Sequence, residues 1–328
     1  MACDIRGRWF CFSSQMRVLL KTSLRSRSQQ GDYSIYSPAM LQRLHAGDEL
    51  RNNIAVNFPN QNWTDASAAG FRRIIYLSQL GQAECLRYVV DGGRFAAARP
   101  QGYLFWQLND IWQASSWGSL DYGGRWRLLQ YRARHFFAPV YAACNTEQNF
   151  TTLVCSAVND DIRAATVQAS ISIISAATGH VQWSQPATAN LAAGQTSTLV
   201  QLDLSAVLPT INCTAASCLG WLSIAGGPAT PAPLGPLAAL ALGPAALTLT
   251  VQAAGVTVSN AGPGPALHIM VTTAAPGHFT DNGVSLLPGQ RATLLFQAHG
   301  ALNQTLFAAT IHLAQLGPGS VQTLPAGL

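Results

Sequence analysis

Between Gly102 and Pro139 a short apolar run, Tyr103-Leu104-Phe105-Trp106-Gln107-Leu108, leads into a loop of Trp, Ser and Gly and then into a helical stripe. No other stretch limits the possible architecture as strongly. An apolar run of this length reads as a strand buried on both faces, the usual situation of parallel strands. Asn109 and Asp110 open the loop, with Trp112 and Trp117 spaced along it. From Arg125 onward, Trp126, Leu129, Tyr131 and Phe136 fit one helical face, which places the arginines on the other. Strand, loop and amphipathic helix make the βα unit of a barrel or doubly wound sheet. In barrel enzymes the loop after the strand lies at the catalytic face.

A parallel strand needs backbone partners on both sides. A complete barrel takes about 250 residues, yet the composition changes near Tyr141. The chain therefore reads as a fragment whose other strands lie elsewhere. Upstream, Phe71, Ile74, Ile75, Ser78, Cys85 and Val89 recur at helical spacing, with Asp65 as the expected N-cap and Gly92-Gly93 as the stop. Residues 66–138 thus read as helix, loop, strand, long loop, helix. Asp32 to Asn62 is polar and turn-rich, with no clear period.

Past Tyr141 the runs FTTLVCSAVN, ATVQASISIIS, HVQWSQ, STLVQLDLSA and LGWLSIAGG alternate apolar and polar residues. The linker PATPAPLGPLAALALGP follows, and a second set comes after it: ALTLTVQAAG, VTVSN, ALHIMVTT, RATLLFQA and AATIHLAQL. Turn residues at sandwich-like spacing separate them, which predicts two β-sandwiches over roughly 141–228 and 240–316. The expected organisation is an atypical basic segment over 1–35, disordered; the end of an α/β barrel over 36–140; and sandwiches over 141–230 and 231–328. The fold class is multidomain, α/β followed by all-β.

The net charge of +5 is concentrated at the start, where Arg6, Arg8, Arg17, Lys21, Arg25 and Arg27 oppose only Asp4. The remainder nearly cancels, so no nucleic-acid partner is expected. No run approaches the roughly 20 apolar residues that span a bilayer, so no membrane partner is expected either. The start lacks the continuous apolar core of a secretory signal, although its Arg/Ser richness superficially suits a transit peptide. It also reads as an unnatural or truncated beginning.

Seven cysteines are an odd number for a stapled fold. Cys213 and Cys218 are close enough for a local bridge, Cys3 and Cys11 fall in the atypical start, and Cys85 sits within a helical pattern. Without CxxC spacing or grouped histidines, neither metal nor cofactor is expected. HExxH, GxSxG, P-loop and GxGxxG motifs are absent as well. Four sequons, at Asn62, Asn149, Asn212 and Asn303, favour passage through the secretory route as a glycoprotein.

The stretch YLFWQLNDIWQASSWGSLDYGGRWRLLQYRARHFFAPV resembles the end of the catalytic barrel in β-mannosidases of glycoside hydrolase family 2. RRIIYLSQLGQAECLRYVVD is similar to that barrel's penultimate connecting helix. Asn212-Cys213-Thr214 with Cys218 looks like a cysteine-bearing corner of the family's first C-terminal sandwich. His278-Phe279-Thr280-Asp281-Asn282-Gly283 resembles the FSDNG-like turn of the last one. The resemblance spans about residues 40–316 and is strongest over 103–140.

It implies the C-terminal remnant of a (β/α)8 barrel followed by two Ig-like β-sandwich domains. It also implies a retaining glycosidase that releases terminal β-mannose from oligosaccharides in lysosomes or after secretion. Such enzymes use two glutamates about 5 Å apart. The chain has only Glu49, Glu84 and Glu147, and no Asn-Glu pair. Glu49 reads as a loop residue and Glu84 as a helical one, both as solvated carboxylates. No catalytic residue is therefore expected in this chain, and it is expected to be inactive alone.

Part of a sugar platform remains. Trp106 matches the tryptophan that floors the family's sugar pocket, and an indole face suits the apolar C–H face of a pyranose. Asn109 and Asp110 follow it, where hydroxyl-binding groups belong. Trp112, Trp117 and Trp126 read as packing residues, and His135 as part of a solvated helix face. The alternative is a non-catalytic β-sandwich protein that binds glycans or braces a partner.

Overall fold

A computed structural model describes residues 13–14, 48–58, 61–62, 65, 67–96, 102–111, 115–147 and 149–324. Most of the basic segment 1–35, together with Cys3, Cys11 and Trp112, lies outside the described residues. Among the described residues, three helices precede the β-rich part: α1 (Asp48–Asn57), α2 (Ala68–Arg94) and α3 (Leu128–Phe136). Glu49 therefore belongs to a helix, where its loop-like context had predicted none.

The cap of α2 is Ser67, whose hydroxyl accepts from the Gly70 amide. Asp65, the expected cap, instead accepts from the Ser67 amide at 2.9 Å and fixes the turn before it. Gly92-Gly93 does not stop α2, which runs on to Arg94. There the Arg94 side chain takes over the end. It bonds the carbonyls of Phe136 and Ala138 and pairs with Asp160 at 2.7 Å. Those tertiary partners outweigh the intrinsic preference of glycine for a helix stop.

The first β unit has strands β1 (Val140–Glu147), β2 (Thr152–Asn159), β3 (Ala165–Ser175), β4 (Val181–Leu191), β5 (Thr196–Asp203), β6 (Cys218–Ile224) and β7 (Thr230–Pro233). Two antiparallel sheets, ordered β1-β2-β5 and β4-β3-β6-β7, close on Ile171, Ile173, Leu153 and Leu222. Alternation along β3 sends Val167, Ala169, Ile171 and Ile173 inward, because successive side chains of a strand point to opposite faces. Cys144 and Cys155 lie opposite each other on β1 and β2 and are bridged, a pair the sequence reading did not make. The expected local bridge Cys213–Cys218 is present. β7 falls in the stretch read as a linker, so this sheet reaches Pro233 instead of ending at 228–230. Its two prolines are tolerated because β7 is the edge strand of its sheet.

The second unit contains β8 (Ala245–Gln252), β9 (Gly255–Asn260), β10 (Ala266–Thr272), β11 (Gly277–Phe279), β12 (Val284–Leu286), β13 (Arg291–Ala298), β14 (His312–Leu316) and β15 (Gly319–Leu324). Its sheets run β11-β13-β9-β8-β15 and β12-β10-β14, with β8 and β15 parallel. Along β8, Ala245, Leu247, Leu249 and Val251 face the core while the threonines between them do not.

The helices sit where the two units meet. One continuous apolar core joins Phe71, Ile75, Leu77 and Leu80 of α2 and Leu128, Leu129 and Phe136 of α3 to Ile174 and Trp221 of the first unit and Leu267 and Met270 of the second. The stripe predicts arginines on a solvated side of α3, which holds for Arg134 but not for Arg132, which is buried. Among the described residues no helix is long and apolar enough to cross a membrane.

Candidate functional site

The segment 103–108 is extended but is not a ladder strand. Its backbone bonds run to the loop that follows: Ser119 N donates to Gln107 O at 3.0 Å and Leu120 N to Leu108 O at 2.8 Å. Tyr103, Phe105 and Gln107 are half-buried, whereas Leu104 and Trp106 stand 105% and 73% exposed. The expectation of burial on both faces is thus corrected to burial on one. A parallel strand buries both faces only inside a sheet covered by helices on either side, and among the described residues no strand ladder includes this segment.

Trp106, Asn109 and Asp110 meet different fates. The Trp106 indole is open, with Leu108 and Ile111 exposed along the same segment. Asn109 is exposed, and its amide donates to the neighbouring Asp110 carbonyl at 3.3 Å. Asp110 is 4% exposed, and its carboxylate is ion-paired with Arg127 and bonded by the Ser116 hydroxyl. Arg127 in turn donates to the carbonyls of Gly118, at 2.8 Å, and Ser116, at 3.2 Å. The loop is also tied to the helices, where Gln82 Nε2 donates to Trp117 O and Leu128 N donates to Gln79 Oε1. The exposed indole is therefore carried on a backbone held from beneath by buried charge. Trp117 packs against the helix core and Trp126 against the second unit, as expected of packing residues.

A second charged cluster lies under the helices, and Glu84 is its centre. Glu84 is 2% exposed, which overturns its reading as a solvated carboxylate. Its two oxygens meet Arg87 Nε at 2.8 Å and Arg132 Nε at 3.1 Å. Arg87 continues to Asp91 at 2.6 Å and to Asn145 of β1 at 3.0 Å. Arg132 donates to His268 Nδ1 of β10 at 2.8 Å and to the Gly283 carbonyl at 3.0 Å. One carboxylate thereby links α2, α3 and both β units. Periodicity placed Glu84 on the helix but could not place the two guanidiniums that neutralise it.

Burial alone would raise the Glu84 carboxyl, but Arg87, then Arg132 and His268, outweigh it and hold the group down at about 2. Burial pushes the His268 imidazole down to about 4 against the pull of Glu84. Asp91 moves the opposite way, raised by burial against the pull of Arg87. For His268 the unfolded chain binds the extra proton between pH 6.5 and about 4, and for Glu84 between 4.5 and about 2. Both make stability fall with falling pH, while Asp91 opposes them near its own titration. Urea unfolding between pH 7 and pH 4.5 is expected to show the parent losing up to about 1.4 kcal/mol per pH unit more than His268→Gln. Parallel pH curves would remove His268 from the account.

The loop Thr280-Asp281-Asn282-Gly283 is the seat of α3. His135, expected on a solvated face, contacts Asp281 through Nε2 at 3.0 Å, and the Phe279 amide donates to the Tyr131 hydroxyl. Gly283 has φ +70°, and a Cβ there would lie 2.5 Å from Leu128 Cδ1. Among the described residues no group of His, Cys, Asp and Glu could hold a metal ion.

Residues 242–317 match a protein-family profile for an Ig-fold domain of mannosidases. Over 129 residues the chain is 39% identical to the β-mannosidase of Bos taurus, covering 36% of this chain and 15% of that protein. Over 86 residues it is 38% identical to β-mannosidase A of Aspergillus oryzae, covering 25% of this chain and 9% of the other. In structure it resembles the β-D-mannosidase of Dictyoglomus thermophilum, with a TM-score of 0.74 at 16% identity, covering 96% of this chain and 37% of that one. The exo-chitosanase CsxA of Amycolatopsis orientalis superposes with a TM-score of 0.61 at 19% identity, covering 94% of this chain and 40% of that one. The chain thus spans little more than a third of the first of these structures.

Proposed function

We propose, from this chain's correspondence to the C-terminal part of glycoside hydrolase family 2 β-mannosidases, that it supplies one wall of a β-mannoside-binding site. Residues 102–127 are then the last strand of a (β/α)8 barrel and its sugar-facing loop, and the two β units are Ig-like domains that brace the closing helices. The observation that carries this reading is the Trp106 indole, 73% exposed on a loop clamped by the buried Asp110–Arg127 pair. An aromatic face held open on a fixed backbone suits stacking on a mannose ring. Asn109 offers its amide to a sugar hydroxyl. Asp110, with Arg127 and Ser116 on its carboxylate, holds the loop that presents both.

Retaining hydrolysis needs two carboxylates about 5 Å apart. Glu84 is committed to Arg87 and Arg132, so we assign the nucleophile and the acid/base to barrel strands outside this sequence. The chain alone is then inactive, and the substrate of the assembled site is a terminal β-mannoside of an oligosaccharide. Bridges Cys144–Cys155 and Cys213–Cys218 support an oxidising secretory or lysosomal route.

Assay on an aryl β-mannoside is expected to give no turnover with this chain alone; measurable turnover would overturn the division of labour. In a polypeptide carrying the remaining strands, Trp106→Ala is expected to lower kcat/KM about tenfold or more, at about 1.4 kcal/mol per factor of ten. A change under twofold would remove the indole from the sugar site.

A further inference from the structure

A cavity of about 80 Å³ lies between α2, the 121–127 turn and the second β unit. Trp106, Asn109 and Asp110 do not line it. Arg72 and Arg125 both do, opposed by the carboxylate of Asp121. That carboxylate is already engaged, since it accepts from the Arg125 amide at 3.0 Å and lies 3.8 Å from the Arg125 guanidinium. Arg125 Nη2 donates to the Ala274 carbonyl. Among the described residues, the buried nitrogens Arg125 Nε and His278 Nδ1 have no hydrogen-bond partner. A guanidinium Nε always carries a proton, so this is a buried donor without an acceptor. Leaving such a group unmet costs free energy, and a small outward turn of the guanidinium would bring it to a ligand oxygen in the cavity.

The remaining wall is aromatic. Trp126 stacks on His278 with centroids 4.2 Å apart and planes 5° from parallel, so one indole face is already covered. A pyranose would need an open ring face and several hydroxyl partners. A carboxylate needs only paired N–H donors, and Arg is the side chain best suited to provide them. The volume corresponds to roughly five to eight water positions, room for a carboxylate on a short apolar body.

We propose that this cavity is a binding site for a small free monocarboxylate, its carboxylate on Arg125 with Arg72 nearby and its short apolar body against the aromatic wall. The site uses none of the sugar-facing residues and stands independently of the function proposed above.

Titration of the 328-residue chain, followed by ligand-observed NMR, would test it with propionate, the neutral isostere propionamide and glucuronate. Saturable propionate binding is expected, at least tenfold tighter than propionamide, and weakened at least tenfold in Arg125→Gln and less in Arg72→Gln. Because propionate and propionamide are compared on the unaltered chain, the proposal stays falsifiable even if a variant misfolds. Absence of saturable propionate binding would mean the cavity holds water only, and equal binding of propionamide would show that charge is not recognised. Either result overturns the assignment, as would glucuronate binding as tightly as propionate.

Discussion

Glu84→Ala is expected to lower the unfolding free energy by about 3–5 kcal/mol, the usual effect of removing one member of a buried ion pair. The loss is not mainly that of an attraction. With Glu84 gone, Arg132 keeps only the His268 nitrogen and the Gly283 carbonyl, and Arg87 keeps Asp91 and Asn145. Two guanidiniums are then buried against one carboxylate, in a region where desolvating a charge is expensive. Because the cluster ties both helices to both β units, the change should appear as a shift of the main urea transition. Glu84→Gln keeps the shape but only one acceptor oxygen, its NH2 group facing the other guanidinium, and should fall between alanine and the parent. A loss under about 1 kcal/mol for Glu84→Ala would mean that water enters and solvates the cluster, so that it does not act as a clasp.

Asp110→Ala is expected to cost a similar amount, about 3–5 kcal/mol by the same argument, with a more local consequence. Its carboxylate is held by Arg127 and by the Ser116 hydroxyl, and Arg127 also bonds the carbonyls of Ser116 and Gly118. Freed of Asp110, that guanidinium has reason to turn toward water and release both carbonyls. Amide hydrogen exchange should then rise at Ser119 and Leu120, whose bonds to 107–108 define the loop, while the β2 and β3 ladders stay protected. Gly118→Ala probes the same joint from the other side, because a Cβ there would lie 2.6 Å from Asp110 Oδ1. Unchanged exchange at Ser119 and Leu120 in both variants would detach the ion pair from the geometry of the Trp106 loop.

Local pattern carried much of the fold. The period-two runs located β3, β8 and β9, because alternation is enforced by the pleat and by one buried face. Helical spacing located α2 and α3 for the corresponding reason. The short strands β7, β11 and β12 were hidden, since three or four residues among prolines and turn residues have no period to read. The 103–108 run was apolar enough to imply two buried faces, but burial is decided by neighbours and not by the run itself. Trp106 was legible as a candidate only through the resemblance of its stretch to a known family.

By itself the sequence determined the long helices, the longer strands with their apolar faces, the family likeness and the absence of an Asn-Glu pair, since each is written in residue types and spacings along the chain. Only the tertiary structure decided what the charges do. Glu84 became the neutralised centre of a four-element junction, Asp110 the anchor beneath an exposed indole, and Arg125 a half-buried cation beside an aromatic wall. Those roles depend on partners 17 residues away for Asp110 and 48 for Glu84. The free energy of a charge depends on what surrounds it in space, which spacing along the chain does not encode.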